Sequence, residues 1–146
     1  MKTLAIDPGG KRIGLAASDA LHLTTRLLPV LEVSGLKASL RELAALIAAE
    51  GFERVVVGLP LNMDGSEGKA AQAARELAEK LRGEIHARKL DCEVELWDER
   101  LTSYEAEQRL RQRGVAKAKA KAFLDSLAAE VLLEDYLATH PAPSNK

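Results

Sequence analysis

The chain opens with a short apolar run, a carboxylate and a glycine turn: Thr3-Leu4-Ala5-Ile6-Asp7-Pro8-Gly9-Gly10-Lys11-Arg12-Ile13-Gly14. The run predicts a buried strand. A second apolar run, residues 13–17, follows so closely that it should pair with the first in the antiparallel sense. A strand that stops on Asp beside a tight turn presents its carboxylate at a sheet edge, where glycines leave the backbone accessible to a phosphate or a metal. At this point a simple Asp-Pro-Gly turn without any chemistry is the alternative.

Length and composition are those of an ordinary globular domain. The chain has 146 residues, of which 47% are hydrophobic and 29% charged, and its formal net charge is −1. We predict one domain over residues 1–140, a flexible tail over residues 141–146 and no membrane partner, since no apolar run approaches the roughly 20 residues of a span. The lone Cys92 and the absence of a signal-peptide pattern predict a cytoplasmic location. Any nucleic acid would have to be held by a local positive patch.

Hydrophobic periodicity predicts an α/β sandwich with a mixed five-stranded sheet, in which the second strand is antiparallel and helices cover both faces. The third strand should lie at an edge, because Pro29 interrupts it. Asp64 or Ser66 is expected to cap the helix that begins near residue 67. The predicted strands are 4–7, 12–17, 26–33, 54–58 and 92–97, and the predicted helices are 34–50, 67–89, 104–113 and 117–138. Later strands separated by helices imply parallel pairing through right-handed crossovers.

Acidic residues follow two of these strands at the edge where their carboxyl ends should meet. Asp7 ends the first strand, and Asp98 and Glu99 end the last. In open α/β sheets, sites form beyond the carboxyl ends of the strands. Order alone therefore predicts that these acids approach one another.

A further carboxylate, Asp125, lies on the inward face of the last helix, because apolar residues recur at three, four, seven and eleven positions beyond it. Such a group needs a partner, and pairing with a local lysine or arginine is the alternative. If Asp7, Glu99 and Asp125 converge within about 5 Å, each pair repels by roughly 3 kcal/mol. Mg²⁺ or Mn²⁺ suits such a carboxylate cluster. Two ions about 4 Å apart would support in-line phosphodiester hydrolysis.

A run of cations without an intervening acid precedes Asp125. It would track a phosphate backbone, although charge runs are more often solvated faces. The run comprises Arg109, Arg111, Arg113, Lys117, Lys119 and Lys121. Lys11, Arg12 and Arg100 are also predicted to bind phosphate or to pair with the acids. Asn62 and Ser66 form a candidate phosphate loop at a helix N-terminus, although capping explains them equally well.

Four ordered motifs, spread over residues 3–138, resemble the YqgF/RuvX family. They are Asp7-x-Gly-x-Lys-Arg-Ile-Gly-x-Ala with Ser18-Asp19, Val57-Gly58-Leu59-Pro60-Leu61-Asn62-Met63-Asp64-Gly65-Ser66, Asp98-Glu99-Arg100-Leu101-Thr102-Ser103, and Asp125-Ser126-x-Ala-Ala. The resemblance implies an RNase H-like fold related to the resolvase RuvC. It also implies that Asp7, one acid of the Asp98-Glu99 pair and Asp125 form the metal site, with Glu99 preferred.

The resemblance and the residues together predict a metal-dependent endonuclease that processes the ends of pre-16S rRNA. A Holliday junction resolvase is the first alternative, and it would act on four-way DNA junctions as a homodimer. A non-catalytic ribosome or RNA-binding factor is the second alternative, but such a protein would be expected to lose the acids, which are all present.

Overall fold

The structure is a computed structural model that describes residues 1–21, 24–98, 108, 112 and 117–139, with the backbone alone described for residues 117–124. The elements are β1 (Thr3–Asp7), β2 (Arg12–Ser18), β3 (Thr25–Glu32), α1 (Leu36–Glu50), β4 (Arg54–Leu59), α2 (Lys69–Ala87), β5 (Glu93–Asp98) and α3 (Lys117–Thr139). The strands form one sheet in the order β3-β2-β1-β4-β5. β2 is antiparallel to β1 and β3, whereas β4 is parallel to β1 and β5. The predicted mixed sheet is confirmed.

The two faces of the sheet carry side chains of different size. Leu4 and Ile6 point to one face and join the apolar stripes of α1 and α2 in the larger core. Ala5 and Ala16 point to the other face and pack against α3. The helix contributes Ala129, Leu132 and Leu133 to that second core. Because the side chains below it are small, α3 can lie close to the sheet backbone.

The closest approach of α3 to the sheet is at Gly14 of β2. A Cβ atom placed on Gly14 would lie 2.0 Å from the carbonyl oxygen of Asp125 and 2.5 Å from its carbonyl carbon. No side chain fits in this space, since real Cβ contacts do not fall below 3 Å. An isolated glycine inside a strand is the expected device where another backbone comes this near.

Local signals placed most element ends correctly. The edge position of β3, which contains Pro29, is confirmed. α1 begins after Gly35 and ends at Gly51, whose φ of 73° gives the left-handed conformation that glycine favours at a helix end. The predicted cap of the second helix is wrong. α2 begins at Lys69 after Gly68, and no side chain caps it.

Two predicted segments, the helix at 104–113 and the tail at 141–146, lie outside the described residues apart from residues 108 and 112, which are helical. Within the described part of the chain, no helix combines the length and the apolar character that a membrane crossing requires.

Replacing Gly14 by Ala should lower the free energy of unfolding by about 3 kcal/mol or more, because the added methyl group forces α3 away from β2. Urea denaturation monitored by circular dichroism measures the change. Gly10→Ala is the matched control, because nothing lies within 4 Å of the position that its Cβ would occupy and its φ is not left-handed. The control should change stability by no more than about 0.5 kcal/mol. Equal losses in both variants would contradict the packing argument.

Candidate metal and nucleic-acid site

Asp7 lies at the carboxyl end of β1, directly opposite Gly14 of β2 in the antiparallel register. Side chains alternate along a strand, so Asp7 shares the face of Ala5, which packs against α3. Asp7 is half-buried. Its carboxylate therefore stands at the edge of the sheet, on the face that α3 covers.

Asp125 reaches the same place from the helix. Its backbone contacts Gly14, which is the register partner of Asp7. The backbone of Asp125 therefore lies over Gly14 and Asp7 lies beside Gly14 on the neighbouring strand, so both acids belong to the α3 side of the sheet. The structure brings together two of the predicted site residues, although they are 118 positions apart in sequence.

A guanidinium group already faces Asp125. Arg12, at the start of β2, donates a hydrogen bond from Nε to Asp125 Oδ2 over 2.8 Å. This hydrogen bond raises the pKa of Arg12, against a smaller opposing effect of burial. Of the two roles predicted for Arg12, pairing with an acid is the one seen in this structure. The pair also shows that the surroundings of Asp125 accept a positive charge.

Asp98, the last residue of β5, lies on the face of the sheet that α3 does not cover. Glu95 and Trp97 contact α3, since Glu95 bonds to Tyr136 and Trp97 Nε1 donates to Asp135 over 2.7 Å. Leu96 belongs to the α1/α2 core. Alternation therefore puts Asp98 on the α1/α2 face, opposite to Asp125. Glu99, the preferred acid of the pair, lies outside the described residues, as does Arg100.

The donor set found so far fits a hard divalent cation but does not complete a site. Mg²⁺ and Mn²⁺ take carboxylate oxygens and water, which the half-buried Asp7 and Asp125 can offer at an open sheet edge. No cluster of three or more His, Cys, Asp or Glu side chains occurs among the residues that the structure describes. A third protein ligand would have to come from the chain after β5.

The predicted positive patch is only partly described. Lys117, Lys119 and Lys121 lie in the first turns of α3, with the backbone alone described, and the predicted Arg109, Arg111 and Arg113 lie outside the described residues. At 1.5 Å rise per residue, these lysines are about 6 to 12 Å along the helix axis from Asp125. Lys11 is exposed in the turn between β1 and β2. Lys11 therefore belongs to the turn that follows Asp7, and the backbone positions of the three lysines lie one to two helical turns before Asp125.

The loop after β4 differs from its prediction. Asn62 Nδ2 donates to Ser66 Oγ over 2.9 Å, and both the hydroxyl and the backbone N–H of Ser66 donate to Asp64 Oδ1. The two residues therefore close their own turn rather than cap α2, which begins three positions later at Lys69. Neither residue caps α2, but Asn62 Nδ2 lies 3.9 Å from the position that a Cβ on Gly68 would occupy, so the loop stays beside the start of this helix. The role of Asn62 and Ser66 as a phosphate loop stays a prediction.

The one cysteine offers no nucleophile. Cys92 is partly buried against the α1/α2 core, and this burial, helped by nearby carboxylates, raises the pKa of its thiol to about 11. The thiol is therefore protonated at neutral pH, and the reactive thiolate is not available.

Gly14 is the functional residue that the sequence reasoning missed. A single glycine within the apolar run of β2 was the available signal, because such glycines mark the close approach of another backbone. The approaching backbone is that of Asp125, and the sequence around Gly14 does not predict which residue approaches.

Comparisons with known proteins identify the family of the chain. The family model for RuvX, described as Holliday junction resolvase, matches residues 1–139. A protein of Myxococcus xanthus named "Putative pre-16S rRNA nuclease" is 41% identical over 143 residues, which is 98% of this chain and 91% of the relative. A protein of the same name from Anaeromyxobacter sp. (strain Fw109-5) is 43% identical over 137 residues, covering 94% and 96%.

Solved structures show the same fold at much lower identity. Thermus thermophilus RuvC in complex with a Holliday junction substrate superposes with a TM-score of 0.62 at 18% identity, over 96% of each chain. The fowlpox virus Holliday junction resolvase gives a TM-score of 0.60 at 13% identity, over 96% of this chain and 99% of that one. The sheet order, the three layers and these likenesses identify an RNase H-like fold. With the family match over residues 1–139 and relatives above 40% identity, the chain belongs to the RuvX (YqgF) family.

Proposed function

We propose that this protein is a cytoplasmic, divalent-metal-dependent endonuclease that processes the ends of pre-16S rRNA. The observation that carries the proposal is the position of Asp7 beside Gly14 and of the Asp125 backbone over the same glycine, at the carboxyl edge of β1. A nuclease needs carboxylates at one accessible edge, and two of the predicted three are there. The names of the curated relatives support the choice of RNA substrate.

In this mechanism Asp7 and Asp125, joined by Glu99, would hold the metal. Bound Mg²⁺ or Mn²⁺, most favourably as two ions, would supply an activated water and stabilise the leaving oxygen. Arg12 holds Asp125 by a hydrogen bond in this structure. Once a cation neutralises the Asp125 carboxylate, the guanidinium of Arg12 would bind the substrate phosphate instead. Lys11 and Arg100 would bind the neighbouring phosphates.

Resolution of four-way DNA junctions is the second candidate function. The description of the matching family and the likeness to RuvC favour it. Symmetric cleavage of a junction requires two sites, so this function also requires a homodimer. Purified protein should be assayed on both substrates, and size-exclusion chromatography with light scattering should accompany the junction assay.

Asp7→Asn and Asp125→Asn should each reduce cleavage by at least about 100-fold, since even outer-shell metal contacts are worth 10- to 100-fold. The measurement is single-turnover cleavage of end-labelled pre-16S rRNA and of a four-way junction, each with Mg²⁺ and with Mn²⁺. Asp91→Asn is the matched control, because this exposed acid precedes β5 at the opposite edge. A wild-type rate in either site variant would refute the metal site. Cleavage of neither substrate by the wild type would favour a non-catalytic binding factor.

Arg12→Ala should affect metal and nucleic acid in opposite directions. Removal of the guanidinium frees Asp125, so Mn²⁺ affinity should rise about two- to fivefold, while affinity for RNA should fall. Isothermal titration calorimetry measures the first and filter binding the second. Arg26→Ala is the control, since this strand arginine forms a comparable 3.0 Å ion pair with Glu50 away from the site. A decrease in both affinities would contradict the dual role.

Charge reversal at Lys117, Lys119 and Lys121 should weaken nucleic-acid binding and make its salt dependence shallower. If each lysine contacts one phosphate, the slope of log K against log salt should lose about 2 to 3 in magnitude. The matched control reverses Lys37, Lys80 and Lys89, which lie on or just beyond α1 and α2. An equal effect of both sets would mean that net charge, rather than a patch at the start of α3, determines binding.

A further inference from the structure

A cavity lies at the same sheet edge as Asp7 but on the α1/α2 face. It has a volume of about 450 Å³ and is walled by the β1–β2 turn, the inner side of α1 and the first turns of α2. Pro8, the residue after Asp7, belongs to its wall. Adjacent Cα atoms are about 3.8 Å apart, so the cavity begins one residue from the candidate metal site.

One polar side chain within this wall has no hydrogen-bond partner among the described residues. Ser39 is 2% exposed, and its Oγ is buried without a partner. Ser39 lies on the apolar stripe of α1, beside Leu36 and Leu40. Ser39 and Leu36 both line the cavity. A buried hydroxyl that makes no hydrogen bond costs free energy and calls for an explanation. The Oγ atom has almost no accessible surface in this structure, so rotation of the Ser39 side chain towards the cavity would bring it to a ligand that supplies the missing partner.

The start of α2 brings a positive charge to the wall of the cavity. Lys69 and Ala70, the first residues of α2, line it. Gly68 provides no capping side chain, and the first turn of α2 contains no acid, so its N–H groups can bind an anion. None of the described residues that line the cavity is acidic. The cavity therefore offers apolar walls, one inner hydroxyl and an anion-binding end.

We propose that this cavity binds one nucleoside monophosphate unit of the substrate strand, and this rests on the proposed nuclease function. The base would enter between the apolar walls and bond to Ser39, while its phosphate would lie at Lys69 and the start of α2. A volume of 450 Å³ is within the usual range for small-ligand pockets.

This arrangement would make the cavity a selector of unpaired nucleotides. A base inserted beside Pro8 has left its stack, while the next phosphodiester of the same strand can lie across the turn at Asp7. Unstacking costs least in single-stranded or distorted segments. The enzyme would then cut where a strand end or a branch point frees a base. An apolar side chain of a partner protein would use neither the buried hydroxyl nor the anion-binding end.

The test is a titration of the full-length protein with the four nucleoside monophosphates, without divalent metal. ¹⁵N-¹H NMR should show saturable shifts at Gly9, Gly10, Ser39 and Lys69 for at least one of them, at lower concentration than for the matched nucleoside or inorganic phosphate. Absence of such shifts would refute the proposal. Phosphate binding as tightly as the nucleotide would also refute it, because the site would then be only the helix end.

Three variants sharpen the titration. Ser39→Ala should weaken nucleotide binding about three- to tenfold while leaving the melting temperature unchanged or higher, since it removes an unpartnered hydroxyl. Lys69→Gln should weaken nucleotide binding but not nucleoside binding. Ala73→Leu should fill the cavity and abolish binding, whereas Ala87→Leu, at the other end of α2, should not. Undiminished binding in Ala73→Leu would overturn the assignment.

The cavity and the metal site can fail separately. Asp7→Asn should bind nucleotides like the wild type, because the titration needs no metal. Nucleotide binding by a protein that cleaves neither RNA nor junctions would refute the nuclease and leave the cavity standing. Cleavage without nucleotide binding would refute the cavity alone.

Discussion

The contact between the backbone of Asp125 and Gly14 determines where the site forms. It brings a helix onto the sheet with no side chain between them, and it does so at the register partner of Asp7. The small residues Ala5 and Ala16 allow the helix to pack closely along the same face. A larger residue at Gly14 would lift the helix and carry Asp125 away from the sheet edge. The candidate site therefore depends on the lack of a side chain at Gly14 as much as on the acids themselves.

The other end of α3 is fixed by polar contacts rather than by close packing. Tyr136 is 2% exposed, and its hydroxyl accepts from Arg54 over 2.7 Å and donates to Glu95 over 3.1 Å. Trp97 packs edge-on against Tyr136, with ring centroids 5.2 Å apart, and donates to Asp135. These contacts join the helix to β4 and β5, whereas Gly14 joins it to β2. Because α3 is held at β2 and again at β4 and β5, Asp125 keeps a fixed position without being deeply buried.

The sequence predicted what local patterns control. The five strands along the chain, the β1–β2 hairpin, the edge position of β3 and the ends of α1 followed from apolar runs, Pro29 and the two glycines around that helix. The start of α2 was wrong because Asp64 and Ser66 have the chemistry of a cap but satisfy each other within their own turn. The pairing of Arg12 with Asp125 spans 113 positions, so no local pattern contains it. Ser39 was visible as a hydroxyl on an apolar stripe, but the space beside it was not.

Net charge gives this chain no general attraction for a polyanion, so the charges near the site have to act locally. The ion pair of Arg12 and Asp125 is such a local arrangement, because each group neutralises the charge of the other at the sheet edge. A divalent cation and a phosphate together present the same two charges in the opposite arrangement: the cation satisfies the carboxylate and the phosphate satisfies the guanidinium. Binding of either alone has to break the pair, whereas binding of both replaces it. Under the proposed function, metal and nucleic acid should therefore each strengthen the binding of the other, and Arg12 would be the residue through which this coupling acts.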